Sequence, residues 1–172
     1  AGDRQGDEKL QTMIRAIFLD VDGTLISFST HEIPASARRA LTQAHERGVR
    51  LFIATGRAAN DLGPLEGIPY DGVVSLNGAR CVANDGRVVS LHPIPRADFE
   101  RALALSEEQD FAMGLELEEG VFVNRVTPDV KRVAHMVAHP VPEQTDLREL
   151  FGRVECCQLC FYFDAVSYTH LT

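Results

Sequence analysis

Six residues, Ile14 to Leu19, form an apolar run interrupted only by Arg15, and Asp20-Val21-Asp22-Gly23-Thr24 follows it without a spacer. Such a run reads as a buried strand of a parallel sheet, whose strands are covered on both faces. In an open α/β sheet, ligands gather beyond the carboxyl ends of the strands. Two carboxylates fall at that position here.

The chain beyond this point supports the same sheet. Ala37, Ala40, Leu41 and Ala44 repeat at i, i+3, i+4, i+7, and Gly48 follows as a stop, which predicts an amphipathic helix. Val49 to Ala54 is a second apolar run, so strand, helix and strand make a right-handed βαβ unit with parallel strands. Thr55-Gly56-Arg57 lies at its carboxyl end, entering a short helical stretch broken at Gly63-Pro64. A third run, Val73 to Leu76, ends in Asn77-Gly78-Ala79.

After Ala79 the long crossovers give way to a hairpin, Arg80 to Ala83 and Arg87 to Leu91, turning at Asn84-Asp85-Gly86. A helix from about Ala97 to Glu108, a hairpin around Glu118-Glu119-Gly120, a helix after Pro128, a short helix near Leu147 and a strand from about Glu155 to Phe163 follow. That order predicts an α+β module rather than more parallel sheet. The expected fold class is therefore α/β, a partial Rossmann-like parallel-sheet core with an inserted α+β domain. The expected organisation is a polar extension over 1–12 with Met13 as a natural start, core over 13–79, the α+β module over 80–165, and an atypical tail over 166–172.

Charge and composition remove several classes of function. Seventeen basic against twenty-five acidic residues give a net charge of −8 with no basic stripe, which argues against nucleic acid as a partner. An anionic substrate would need a local source of positive potential, such as a metal ion or a helix N-terminus. No stretch of about 18 apolar residues and no signal-like segment is present, so the expectation is a cytoplasmic protein with no membrane partner. The four cysteines, at 81, 156, 157 and 160, are not spaced as a disulfide framework and read as reduced thiols.

Asp20 and Asp22 are two residues apart, so in extended geometry both side chains address the same side. One carboxylate can attack a phosphoryl group, giving an aspartyl-phosphate, while the other moves protons. Mg²⁺, a hard ion that takes oxygen ligands, would hold the phosphate beside them.

Phe18-Leu19-Asp20-Val21-Asp22-Gly23-Thr24-Leu25 resembles the first motif of the haloacid dehalogenase superfamily of phosphohydrolases. The resemblance implies Mg²⁺-dependent phosphoryl transfer, with Asp20 as nucleophile and metal ligand. It makes Asp22 the general acid and base, giving the metal its backbone carbonyl. Thr55 resembles the second motif, whose hydroxyl and following amide, here Gly56, bind phosphate. Thr55-Gly56-Arg57 with Asn77-Gly78-Ala79 is similar to the Cof-like, sugar-phosphatase branch (subclass IIB), in which an α+β cap enters after the third strand. Arg57 and Asn77 contact phosphate or shape the site on this reading, and a solvated helix start and a simple turn are the alternatives.

The superfamily's third and fourth motifs, a lysine and an acidic cluster after the cap, have no counterpart. The only lysines are Lys9 and Lys131, and Asp164 ends a strand that the resemblance assigns to the cap. The expectation is a chain truncated at its C-terminus, with an open sheet edge that favours aggregation. Its parent would hydrolyse a small phosphorylated metabolite, a sugar phosphate or phosphorylated cofactor. A phosphotransferase using the same intermediate and an inactive phosphate-binding or interaction module are the alternatives, and oligomeric state is left open.

Other clusters carry less. Cys157 and Cys160 face opposite sides of a strand, and Cys156 and Cys160 lie roughly 13 Å apart along it, too far to share one tetrahedral ion. His135 and His139 share a helix face, and Glu107-Glu108 with Glu116-Glu118-Glu119 read as exposed charge.

Overall fold

The computed structural model describes residues 14–27, 29–30, 32–137 and 139–163. The expectations for the extension, Met13, Asp164 and the tail lie outside the described residues. Strands β1 (Ala16–Leu19), β2 (Arg50–Ala54), β3 (Gly72–Ser75), β4 (Arg80–Ala83) and β5 (Val88–Leu91) form one sheet in that order. The first three are parallel, and β4 and β5 add to β3 antiparallel.

Helix α1 (Ala35–Glu46) is the predicted crossover. It ends where Gly48 takes φ +86° and donates its N–H to His45 O at 2.9 Å, a left-handed position that costs glycine little. Leu41 packs from this helix onto Leu51 and Ile53, neither of which reaches solvent. Val21, Leu25 and Ile26, just past β1, join the same core.

Strand β1 is not the buried strand that its composition predicts. Among the described residues it is the edge strand of the sheet, and Phe18 is 62% exposed, stacked on Phe52 with ring centroids 4.9 Å apart. Only β2 pairs with it among those residues, and its side chains alternate between exposed and half-buried.

A second difference concerns the hairpin after Ala79. Its connections change from crossover to hairpin where the sequence predicts, yet both strands stay in the first sheet. Leu76, Asn77 and Gly78 all have positive φ, 48°, 54° and 96°, so the chain reverses within one turn and β4 returns beside β3, Ser75 opposite Arg80. The first sheet therefore runs to Leu91.

The second sheet has the order β8 (Glu143–Gln144), β7 (Gly120–Val123), β6 (Ala112–Leu117), β9 (Gln158–Tyr162). Helices α2 (Arg96–Glu108) and α4 (Leu147–Phe151) cover the face carrying Met113, Leu115 and Leu117, with Phe99 and Phe151 stacked at 4.1 Å. Helix α3 (Pro128–Met136) packs Val130 against Ala112, Val123 and Tyr162. Its start is fixed by Thr127, whose hydroxyl accepts the Val130 N–H, and by Pro128 in the first turn. Glu116 and Gln158 are paired neighbours on β6 and β9, in line with Ala112 and Gly114 along β6, and they point towards the first lobe.

Candidate active site

The parallel register sets Leu19 opposite Ile53, so Asp20 comes level with Ala54 and Thr55 follows one residue on, both at the carboxyl ends of β1 and β2. Past Asp20 the chain closes a tight turn around the Val21 carbonyl, which accepts from Leu25 N–H at 3.0 Å and Ile26 N–H at 2.8 Å. Gly23 makes the turn possible at φ +78°. Asp20 is exposed, with Oδ2 accepting from the Thr24 hydroxyl at 2.8 Å.

Thr55 is buried, 6% exposed, and its hydroxyl oxygen accepts the Arg57 N–H at 3.2 Å. That bond occupies a lone pair and leaves the hydroxyl hydrogen to donate outward. The Gly56 N–H has no protein acceptor among the described residues. Two donors thus stand at one turn, as a phosphoryl oxygen requires.

The helix expected to begin here is absent. Residues 56–62 are turn and bend, and only a single 3₁₀ turn, Gly63–Leu65, follows. No macrodipole supports the turn, and the positive charge comes from Arg57 instead. Its Nε and Nη2 grip Asp22 Oδ2 and Oδ1, both at 2.8 Å, and Nη1 donates to Asp61 O and Oδ2 at 3.3 Å. The guanidinium hydrogen-bonded to Asp22 holds that carboxyl below its ordinary value, against a smaller opposing effect of burial. Arg57 is therefore neither a solvated helix start nor, in this arrangement, a free phosphate ligand.

Asn77 is also accounted for. Its amide lies over Gly56, where an added Cβ would come within 3.3 Å of it, and its Nδ2 donates to Gln158 Oε1 at 2.6 Å. Gln158 in turn donates from Nε2 to Gly56 O at 3.2 Å and to Glu116.

The sequence assigns Asp61 and Gln158 no role, and it reads Glu116 as exposed charge and His139 as part of a helix face. Asp61 follows Arg57 by four, an ion-pair spacing visible in the sequence, although no helix presents it. His139 is not on a helix face with His135, because α3 ends at Met136, and it meets Asp61 at 3.6 Å. Glu116 and Glu118 are not simple exposed charge, since Glu118 pairs with Arg80 and its carbonyl accepts from Asn60. For Gln158 no sequence signal exists, because its partners are remote along the chain.

Asp61, Glu116 and His139 border a cavity of about 490 Å³ between the Ala58–Asp61 loop and the second sheet, lined also by Phe122, Val133 and Tyr162. Asp61, Glu116, Glu118, Glu119 and Glu143 line it, with His139 as its one basic lining group. Cys160 Sγ donates to Glu116 Oε2 at 3.5 Å, and Cys156 Sγ donates to Gln158 O at 3.2 Å. Cys156, Cys157 and Cys160 belong to three separate packing clusters, and burial pushes Cys156 up to about 11 and Cys160 up to about 12.

For a metal, the site offers oxygen only: the Asp20 carboxylate and the Asp22 carbonyl, whose side chain is taken by Arg57. No three His, Cys, Asp or Glu side chains converge among the described residues. Such a set fits Mg²⁺, which keeps several waters and takes one or two carboxylates together with substrate phosphate.

A family profile described as haloacid dehalogenase-like hydrolase matches residues 17–170. BT1666 from Bacteroides thetaiotaomicron, analysed among phosphatases of the haloalkanoate (HAD) enzyme superfamily, is 49% identical with a TM-score of 0.88, over 98% of this chain and 63% of that one. The HAD subclass IIB sugar phosphatase BT4131 is 27% identical with a TM-score of 0.77, over 91% and 62%. YkrA of Bacillus subtilis (strain 168) is 30% identical across 95 residues, 55% of this chain and 36% of YkrA. The chain spans less than two thirds of the length of each.

Proposed function

The chain belongs to the haloacid dehalogenase-like hydrolases, and from that premise we propose that it carries the nucleophile and phosphate-binding half of a Mg²⁺-dependent phosphatase for small phosphomonoesters. The observation that supports this reading is the parallel pairing of β1 and β2, whose carboxyl ends carry Asp20 and Thr55 within one residue of each other in register. Asp20 is the nucleophile: a carboxylate oxygen bonds to phosphorus as the ester oxygen leaves, giving an aspartyl-phosphate. The Thr55 hydroxyl and Gly56 N–H stabilise charge on the phosphoryl oxygens. Asp22 gives a proton to the departing oxygen and takes one from the water that cleaves the intermediate. Asp20 and the Asp22 carbonyl would hold Mg²⁺, which supplies charge neutralisation.

The second lobe acts as a cap over this face, and its cavity beside Asp61 receives the rest of the substrate. BT4131 is a sugar phosphatase by description, and a lining of apolar and polar groups suits a sugar ring. A cytoplasmic setting accords with a phosphorylated metabolite as substrate.

The test is Mg²⁺-dependent release of phosphate from p-nitrophenyl phosphate, by this chain and by a chimera that joins to it the part of BT1666 it does not match. Asp20→Asn is expected to abolish release, by about 10³-fold or more, and activity that survives the substitution rejects Asp20 as nucleophile. Adding an alcohol acceptor and analysing products separates hydrolysis from phosphotransfer.

A further inference from the structure

Gln158 stands where the two lobes meet, and all of its amide is in use. Nε2 donates to Gly56 O at 3.2 Å and to the Glu116 carboxylate, and Oε1 accepts from Asn77 Nδ2 at 2.6 Å. The Gly56 carbonyl belongs to the peptide whose N–H, that of Arg57, donates to Thr55 Oγ1 at 3.2 Å. One peptide plane is therefore held at both ends, by a side chain from β9 and by the hydroxyl assigned to the phosphate. Rotation of that plane would break the bond that turns the Thr55 hydroxyl hydrogen outward.

Asn77 completes the arrangement. Its backbone N–H donates to Thr55 O at 3.2 Å and its side-chain amide packs on Gly56. The left-handed turn that starts β4 thus aims the Asn77 amide at Gln158. Glu116, paired with Gln158 across β6 and β9, fixes which way the Gln158 amide faces, since a carboxylate accepts only from the NH₂ end.

We propose that Gln158 is a positioning residue of the phosphate site: through the Gly56–Arg57 peptide it sets the aim of the Thr55 hydroxyl, and so couples second-lobe placement to phosphate affinity. The inference rests on the phosphoryl-transfer reading for its purpose, and on the hydrogen bonds alone for its geometry. It assigns Gln158 no contact with substrate.

Two measurements on the full chain test it. Amide hydrogen exchange at Arg57, read by NMR, reports the held peptide. Titration of inorganic phosphate in the presence of Mg²⁺ reports its purpose. Gln158→Met keeps the size and removes the hydrogen bonds; it is expected to speed Arg57 exchange about tenfold and weaken phosphate binding about tenfold, the loss of roughly one hydrogen bond. The exchanged pair Glu116→Gln with Gln158→Glu restores an amide–carboxylate contact between the strands but no donor to Gly56. It is expected to recover thermal stability without recovering Arg57 protection. Should Gln158→Met not fold, Asn77→Gly, which keeps the positive φ and removes the amide, reads the same exchange.

Unchanged Arg57 exchange in Gln158→Met, or full recovery of protection in the exchanged pair, overturns the proposal. Faster exchange with unaltered phosphate affinity overturns it equally. Failure of the wild-type chain to bind phosphate rejects the phosphoryl-transfer reading, and the Arg57 exchange still decides whether Gln158 holds the turn.

Discussion

At the scale of single residues, Arg57 governs the state of Asp22. Two hydrogen bonds of 2.8 Å from one guanidinium favour the ionised carboxylate. The proposed mechanism needs Asp22 ionised to take a proton from water and protonated to give one, so under it Arg57 has to loosen its hold when substrate arrives. Arg57→Gln is expected to raise the titration midpoint of Asp22, read from its carboxyl ¹³C shift. A midpoint that stays put would remove Arg57 as the cause. Because the native value is depressed, the pair adds stability above the ordinary aspartate pKa, and that contribution fades as pH falls through the lowered native value. Asp22 is 40% exposed, so water and salt keep it small.

At the scale of elements, close approach and capping make two sites sensitive. A Cβ at Gly72 would lie 2.9 Å from Val82 O, so Gly72→Ala must push β4 from β3, at a cost of about 1–3 kcal/mol by urea unfolding. Asp146 caps α4 by accepting from Arg148 N–H at 2.9 Å and Glu149 N–H at 3.1 Å, and Asp146→Ala is expected to cost about 1 kcal/mol. Elements of this kind were legible in the sequence wherever their cause is local. The Ala37 to Ala44 stripe, the Asn84-Asp85-Gly86 turn and Thr127-Pro128 each announce their own structure. What depends on partners was not legible. Nothing in Ile14 to Leu19 says that only β2 pairs with it among the described residues, and nothing in Arg80 to Ala83 says which sheet it joins. Asp20, Asp22 and Thr55 could be read because they end strands, whereas the Gln158 contacts with Gly56 and Asn77 come from the return of β9.

At the scale of the whole molecule, the outer edge of β1 and the field of the cavity set what approaches. Phe18 stands exposed on β1, whose outer edge meets no strand among the described residues, a surface that invites pairing with another chain. Concentration-dependent association is expected in sedimentation velocity, and Phe18→Lys is expected to suppress it; equal association of both proteins would show that the edge is not responsible. Five lining carboxylates against one histidine oppose a second anionic group. A sugar monophosphate is therefore expected to be turned over with kcat/KM at least about tenfold above its bisphosphate, an effect of roughly 1.4 kcal/mol, with the gap narrowing as salt is raised.

The order of strands in the second sheet also has a consequence in time. Synthesis delivers all five strands of the first sheet by Leu91, in pairings between consecutive segments that can close as they emerge. Strand β6 has a later history, because β9, which lies along it, is the last described strand to leave the ribosome. Gln158 leaves with it. On a growing chain the turn of Thr55 and Gly56 is thus made early and held late, and its final contact arrives only when nearly all of the second lobe has been made.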